Sequence, residues 1–539
     1  MSVNWLLPCR WWWRFATFVV VPLVFGLYSV HLGRDANWDL QNYHWYNPYA
    51  LLNWRYDIDV APAFGMSFFS PVGYVPWFLL GTVLPAWMLG FIIGATQSVN
   101  LLLLYGLGLV MLPIERRPPR EAAALALAGV GMCGGMSLGL LGTTFLDSIV
   151  TLGILGSLLA VIGALPVLTA AGGRQAAWRV ALAAIPAALA ISFKMAVAPF
   201  AVGLAAGFLV IEAPLQRRLW LLSWFGVGGA LTTALALGPW AVHLWETTGA
   251  PFYPFYARAF GSAFAGEAWG FERWQPHGLA EALYYPFVIA RHSDRVAEVP
   301  FRDFRLAAAY VVVPVALCLR LVRPASARRP LPRGFAYLLV TMLVAYGLWL
   351  AMFSYYRYAV ALELLAPLAV ALAVLAVPFS RPVQAVAIVA ILGVVVAQTR
   401  PADWGHLPWT ERFVEVSVPP IVSPQTATVL LFGQPISYVV PSLPPQAAVI
   451  DIEMALWEGG NRQAWAQLIR TRLASRSGAV YAITLTGKEQ AMHEAAAPFG
   501  LDLDVAGCRP MAANLPSGGL PATVSLSFCP VARARAAGP

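Results

Sequence analysis

Charged side chains are scarce in this 539-residue chain: Asp, Glu, Lys and Arg make up 11% of it, against 59% hydrophobic residues. An ordinary soluble domain carries about 25% charge, so that class is excluded. Cysteine is scarcer still, with five residues, too few for a disulfide scaffold. No zinc-ligand spacing, P-loop or GxSxG motif occurs, so an ATP-driven pump or a serine hydrolase finds no support. The net charge of +9 offers no nucleic-acid surface either. Its Lys and Arg gather in short loops (115–120, 172–179, 216–218, 323–333) rather than along one aromatic-interleaved face.

What the chain has in abundance is long apolar sequence. Runs of about 17–25 residues match the hydrocarbon thickness of a bilayer, and spans are expected at 15–30, 97–112, 122–141, 148–168, 180–192, 196–211, 219–243, 306–321, 335–353, 359–377 and 383–397. The first run follows Arg10 and Arg14, and no small-residue cleavage site succeeds it, so it reads as a retained span. With the N-terminus in the cytoplasm, the loops near Arg116, Arg174, Arg217, Arg328 and Arg381 all fall inside. Residues 71–93, broken by Pro76 and Pro85, are expected to lie at the interface or dip into it. The reading is a multi-pass protein of a bacterial inner membrane with about 11–13 spans.

The membrane module covers 1–397, with outside loops at 31–72 and 244–305. The second of these holds Glu246, Glu267, Glu272, Asp294 and Asp303. Residues 398–539 change composition to that of a periplasmic α/β domain, with strand-like runs at 428–432, 448–452, 479–484 and 523–528 and helix-like runs at 461–475 and 488–499. Cys9, Cys133 and Cys318, in or beside spans, read as buried small hydrophobes. Cys508 and Cys529 fall in the outside domain, where a disulfide is expected.

The loop after the first span, HLGRDANWDLQNYHWYNPYALLNWRYDIDVAPA (His31 to Ala63), concentrates Asp35, Asp39, Asp57 and Asp59 among aromatic and amide side chains. Carboxylates at a membrane face are costly unless paired or functional. Asp39 precedes Tyr43, Tyr46 and Tyr49 at helical spacing, so an interfacial helix would hold that acid at the lipid–water boundary; a plain N-cap is the alternative. Asp57 and Asp59 read as turn or rim residues, and Asp35 as a partner of Arg34 or Arg55. A second acid, Asp147 in GLLGTTFLDSIV, sits at the outer end of a later span, where it too can be a helix cap. Two acids on one face suit a site that handles a hydroxyl nucleophile or a metal ion. Lys194 in ISFKMAV and Arg357 in FSYYRYAV stand on the side that basic residues avoid, as candidates for an anionic headgroup; snorkelling to lipid phosphate is the alternative.

This arrangement resembles the GT-C superfamily of integral-membrane glycosyltransferases, and among them the aminoarabinose and protein O-mannosyl transferases. The resemblance rests on the acid followed by NYHWYNPYALLNWR and DVAPA, the second loop ending in Asp147, the TTGAPFYPFYARAF segment, the YYRY turn and the outside C-terminal domain. It runs from residue 1 to about residue 400. The family's acidic dipeptide is absent, since Leu40 follows Asp39. The resemblance implies a GT-C-like helical module that moves a sugar from a polyprenyl-phosphate donor to a hydroxyl on a glycan, lipid or protein acceptor at the periplasmic face, with inversion. It puts Asp39 forward as general base, with Asp147 and Asp35 as the other acids and Lys194 and Arg357 at the donor phosphate. Tyr43, His44, Tyr46 and Tyr356 are the substrate-binding candidates. No cofactor is demanded; a divalent cation near Asp147 is the one the pattern allows. Two other readings stay open, a flippase for lipid-linked saccharide and a non-enzymatic assembly subunit, and convergence of the four charges would speak against the latter.

Overall fold

The computed structural model describes residues 11–516 and 525–533 apart from 171–172, 267–271, 325, 327 and 329. Cys9, Arg10, Glu267 and the start of the 523–528 run lie outside the described residues. Among those described, seven helices are long and apolar enough to cross a membrane: Ala86–Met111, Asp147–Thr169, Gly173–Phe193, Leu215–Ala236, Phe335–Met352, Tyr356–Ala376 and Arg381–Gln398. Shorter apolar helices at Thr17–Leu32, Val72–Val83 and Met195–Val210 accompany them. The last four expected spans match the helices to within a few residues, because each apolar run there ends in a charge, a Gly or a Pro.

Two stretches differ. A helix over Ala86–Gln97 joins Val99–Met111 through a turn at Ser98, and together they make one stretch long enough to cross, so Pro85 starts a span instead of keeping it at the interface; proline is tolerated at a helix start, where its missing N–H has no partner to lose. The 122–141 run stops at Met132, and a separate short helix follows at Gly135–Gly139. Two buried acids from far along the chain hold that short helix. Asp303 accepts from Gly135 N–H at 2.7 Å, and Glu363 accepts from Met136 N–H (3.1 Å), Ser137 N–H (2.8 Å) and the Ser137 hydroxyl (2.6 Å). Those N–H groups have no intrahelical partners, which satisfies a carboxylate inside the bundle. Arg305 closes the network on Asp303 and the carbonyls of Val130 and Cys133.

The helix Val360–Ala376, which carries Glu363, is buried at nearly every position, as expected of a segment apolar on all sides. Leu215–Ala236 and Arg381–Gln398 are exposed over most of their length and form the periphery. Cys133 and Cys318 are free and face outward, contrary to the expected burial.

The C-terminal domain is a six-stranded mixed sheet. Two-residue β1 (Arg34–Asp35) and β2 (His406–Leu407) pair separately. The main sheet has the order β4-β3-β5-β8-β6, with β7 also on β8, where β3 is Thr428–Phe432, β4 Ala448–Asp451, β5 Val480–Leu485, β6 Leu501–Leu503, β7 Arg509–Met511 and β8 Leu526–Arg533. The strands β4, β3 and β5 are parallel and β8 is antiparallel to β5. Helices Arg462–Ala474 and Glu489–Ala496 fall in the expected helix-like runs. A Cys508–Cys529 disulfide ties the loop before β7 to β8.

The loop after the first helix docks on this sheet. Val60 bridges Ile450 at the free edge of β4, donating to Val449 C=O at 2.8 Å and accepting from Asp451 N–H at 3.0 Å. Asp59 is buried and not a rim residue. It pairs with Arg55 at 2.6 Å and accepts from Val449 N–H at 2.9 Å, while Arg55 donates to the carbonyls of Pro445 and Ala447. Burial pushes the Asp59 carboxyl upward against the opposing pull of Arg55.

Candidate functional site

Four charges from four chain segments meet at one end of the bundle. Asp147 begins the helix Asp147–Thr169, Lys194 follows the helix that returns as Gly173–Phe193, and Arg357 precedes Val360–Ala376. Asp39 stands at the entry to a π-helical turn, Leu40–His44, that leads into the helix Tyr46–Leu52. The Asp39 side chain does not cap that turn. Its Oδ2 accepts from the Tyr43 hydroxyl at 3.1 Å and from Arg357 Nη2 at 3.0 Å. Arg357 Nε lies 3.4 Å from Asp147 Oδ2, and Lys194 Nζ donates to both Asp147 oxygens at 2.8 Å. The result is an alternating row, Asp39–Arg357–Asp147–Lys194, with no net formal charge.

Aromatic rings enclose the row. The Arg357 guanidinium sits 3.9 Å from the Phe145 ring centre, 5.2 Å from Trp404 and 5.3 Å from Tyr355, and Lys194 Nζ lies 4.7 Å from the Tyr358 ring. Such faces stabilise a cation that has lost water. Burial lowers the Lys194 ammonium from its ordinary value although Asp147 opposes this.

His44 completes the site. Its ring stacks on Tyr74 at 4.3 Å, and Nδ1 lies 2.8 Å from the Thr144 hydroxyl. That hydroxyl donates its one hydrogen to Asp35 Oδ2 at 2.8 Å, so it must accept from His44 Nδ1–H, and the tautomer follows. Burial, then the nearby Arg357 and Lys194, holds the imidazole well below its usual value. A neutral ring with a bare Nε2 results; that atom is buried without a hydrogen-bond partner and lies 3.9 Å from Asp39 Oδ2.

The expected residues therefore separate into two groups. Asp39, Asp147, Lys194, Arg357, Tyr43 and His44 come together. Asp35 stands one hydrogen bond behind them; it pairs with neither Arg34, which donates to the carbonyls of Phe413 and Asn514, nor Arg55. Its partners are Asn37 and Thr144. Tyr46 turns to Asp59 at 3.1 Å, and Tyr356 stacks on Phe301 at 4.8 Å, so neither reaches the row. Thr144, Phe145, Tyr355, Tyr358 and Trp404 were not singled out in the sequence. Their only signal was position, in the TTFLD and YYRY segments that carry Asp147 and Arg357 and in the polar run after the last span. The donor set does not fit a divalent cation, because both acids are already matched by cations, and among the described residues no group of three His, Cys, Asp or Glu side chains could hold one.

No family model matches the chain, and no curated protein matches it. Among solved structures, the oligosaccharyltransferase of Archaeoglobus fulgidus, tethered to an acceptor peptide, aligns over 91% of this chain and 71% of its own, at 12% identity and a TM-score of 0.36. A likeness of that degree carries no argument about family or activity.

Proposed function

We propose that this chain is a membrane glycosyltransferase of the GT-C kind, moving a sugar from a polyprenyl-phosphate donor to a hydroxyl acceptor at the periplasmic face of a bacterial inner membrane. One observation carries the reading: two acids and two cations, 39 to 357 in sequence, meet in one aromatic-walled row at a single end of the bundle. An assembly subunit gives no reason for that meeting. The arginines Arg117, Arg174, Arg217, Arg320 and Arg381 stand at the opposite helix ends, which supports a cytoplasmic N-terminus with the row and the sheet domain outside.

In the reaction, the acceptor oxygen attacks the anomeric carbon as the bond from that carbon to the phosphate oxygen breaks, with inversion. The phosphate leaves with the bonding pair, and the acceptor proton passes to Asp39. Both bonds to Asp39 fall on Oδ2, so Oδ1 is the atom assigned that proton. His44, neutral and with Nε2 bare, can accept from a second hydroxyl or N–H of the acceptor and so hold it beside Asp39, while the attacking hydroxyl keeps its one hydrogen for Oδ1. The leaving phosphate is already charged, so fixed cations matter more than protonation. Lys194 has three N–H donors, two of them held by Asp147, and the third is available to phosphate. Asp147 positions both cations.

Release of labelled sugar from a polyprenyl-phosphate donor, wild type beside Asp39→Ala, tests the reading. Loss of the base is expected to slow transfer by about 10²–10⁴-fold, in a protein that still folds because Asp147 remains beside Arg357. Retained activity in the variant would remove Asp39 from the chemistry, and no release by wild type with any donor would remove the transfer reading.

A further inference from the structure

The C-terminal sheet carries a crevice whose lining shares no residue with the Asp39 row. Its volume is about 540 Å³, and Phe64, Gln434, Glu453, Leu456, Trp457, Glu458, Gly459 and Lys488 line it. That size falls among ligand pockets, which run from about 300 to 1,000 Å³.

Its place follows from the order of the strands. After β3 the chain passes to β4 on one side, and after β4 it crosses, through the helix Arg462–Ala474, to β5 on the other side. Open parallel sheets bind ligands where such connections part, outside the carboxyl ends of the strands. Gln434 stands two residues past β3, Glu453 two past β4 and Lys488 three past β5, so each of the three carboxyl ends contributes one polar side chain.

The fittings are fixed before any ligand arrives. Glu453 accepts from Gly433 N–H at 2.9 Å, and its own N–H donates to Asp451 at 2.8 Å. The Trp457 ring packs on Phe64 of the first outside loop at 5.2 Å. The backbone of Gly459 and Gly460 runs so close to this indole that an added Cβ would fall 2.5 and 2.6 Å from ring atoms; only glycine permits that approach. A half-exposed aromatic face therefore stands rigidly beside two carboxylates, one amide and one ammonium. Arg462 pairs with Glu458 at 2.8 Å, so acids and cations at the crevice balance, and a phosphate or a nucleotide finds no surplus of positive charge there. Flat apolar faces beside several hydrogen-bond acceptors suit a ring that bears C–H on its faces and hydroxyls on its rim.

We propose that this crevice is a saccharide-binding subsite, with Trp457 as the stacking face and Gln434, Glu453, Glu458 and Lys488 as partners for the hydroxyls. The subsite does not need the transfer reading; where that reading holds, the occupant is the glycan part of the acceptor.

The test is saturation-transfer NMR on the full-length protein in detergent with chitobiose, cellobiose and mannobiose, and with a pentalysine peptide as the competing ligand class. At least one disaccharide is expected to bind, with affinity about tenfold weaker in Trp457→Ala. Weakening is also expected in Glu458→Gln, whose exposed side chain pairs with the exposed Arg462, a surface pair of little weight in the fold, and Asp39→Ala should leave binding unchanged. The proposal is overturned if no disaccharide binds, if both crevice variants bind as wild type does, or if the peptide takes the crevice in place of sugar. Disaccharide binding without any sugar release by wild type would remove the transfer reading alone.

Discussion

Asp147 is the residue on which the row turns, because it alone touches both cations. Removing one partner of a buried ion pair leaves the other uncompensated, at a cost of about 3–5 kcal/mol. Asp147→Asn should therefore lower the thermal midpoint of the detergent-solubilised protein strongly, and adding Lys194→Met should restore part of the loss; strict additivity of the two changes would contradict the pairing. His44 sets a pH dependence. Its folded pKa is depressed below an unfolded value of about 6.5, so the unfolded chain binds the extra proton first and stability is lost as pH falls through that value, by up to about 1.4 kcal/mol per unit. A His44→Asn variant should show a flatter melting profile between pH 7.5 and 5 than wild type. Each of the four charges in the row was legible in the sequence as a charge in an unfavoured place. Their pairing was not, since the bonds join residues 47 to 318 positions apart and periodicity carries only local information. Asp59 read as a turn or rim residue and Asp35 as a partner of Arg34 or Arg55 for the same reason, since nothing near them shows that Val449 and Thr144 arrive to hold them.

Among the elements, the short helix Gly135–Gly139 has the least local support and the most distant help. The apolar run reads through it without interruption, so a single span to Leu141 was expected; the break at Gly134 appears only when Glu363 is brought beside it. At Gly134 a Cβ would collide with the Glu363 carboxylate, which is why glycine stands there. Glu363→Leu would leave the N–H groups of Met136 and Ser137 buried and unpaired, at about 1–3 kcal/mol for each. A lowered melting temperature with transfer reduced in parallel is the expected result, since this helix leads to Thr144, Phe145 and Asp147; an unchanged melt would exclude the capping role. The span that starts after Pro85 was also missed, because a proline at a helix start looks like a break; for the last four spans the hydrophobic runs were sufficient, since a helix in lipid must satisfy its own backbone and its length is set by the bilayer.

The whole molecule is joined by the loop after its first helix, which gives Asp39 to the row, Val60 to the sheet edge and Phe64 to the crevice wall. Arg55→Ala should strand Asp59 without its charge partner and loosen the sheet from the helices; faster limited proteolysis between residues 399 and 427 is the expected readout. Replacing Cys508 and Cys529 with serine opens a closed loop of 21 residues and should cost the sheet domain about 3 kcal/mol, measured as a lower urea midpoint. Four strands and both helices of this domain were legible as strand-like and helix-like runs; β6 and β7, at three residues each, were too short to leave a pattern. Its attachment was not, because Val60 reads as one more loop residue until β4 lies next to it. The Arg55 bond to Ala447 spans 392 residues. A ribosome working at about 5–20 residues per second takes roughly 20–80 s to make that length. For that interval the loop has no partner strand to pair with, so Asp59 and Val60 gain their final surroundings only when synthesis is nearly over, and the joint between the helices and the sheet closes late.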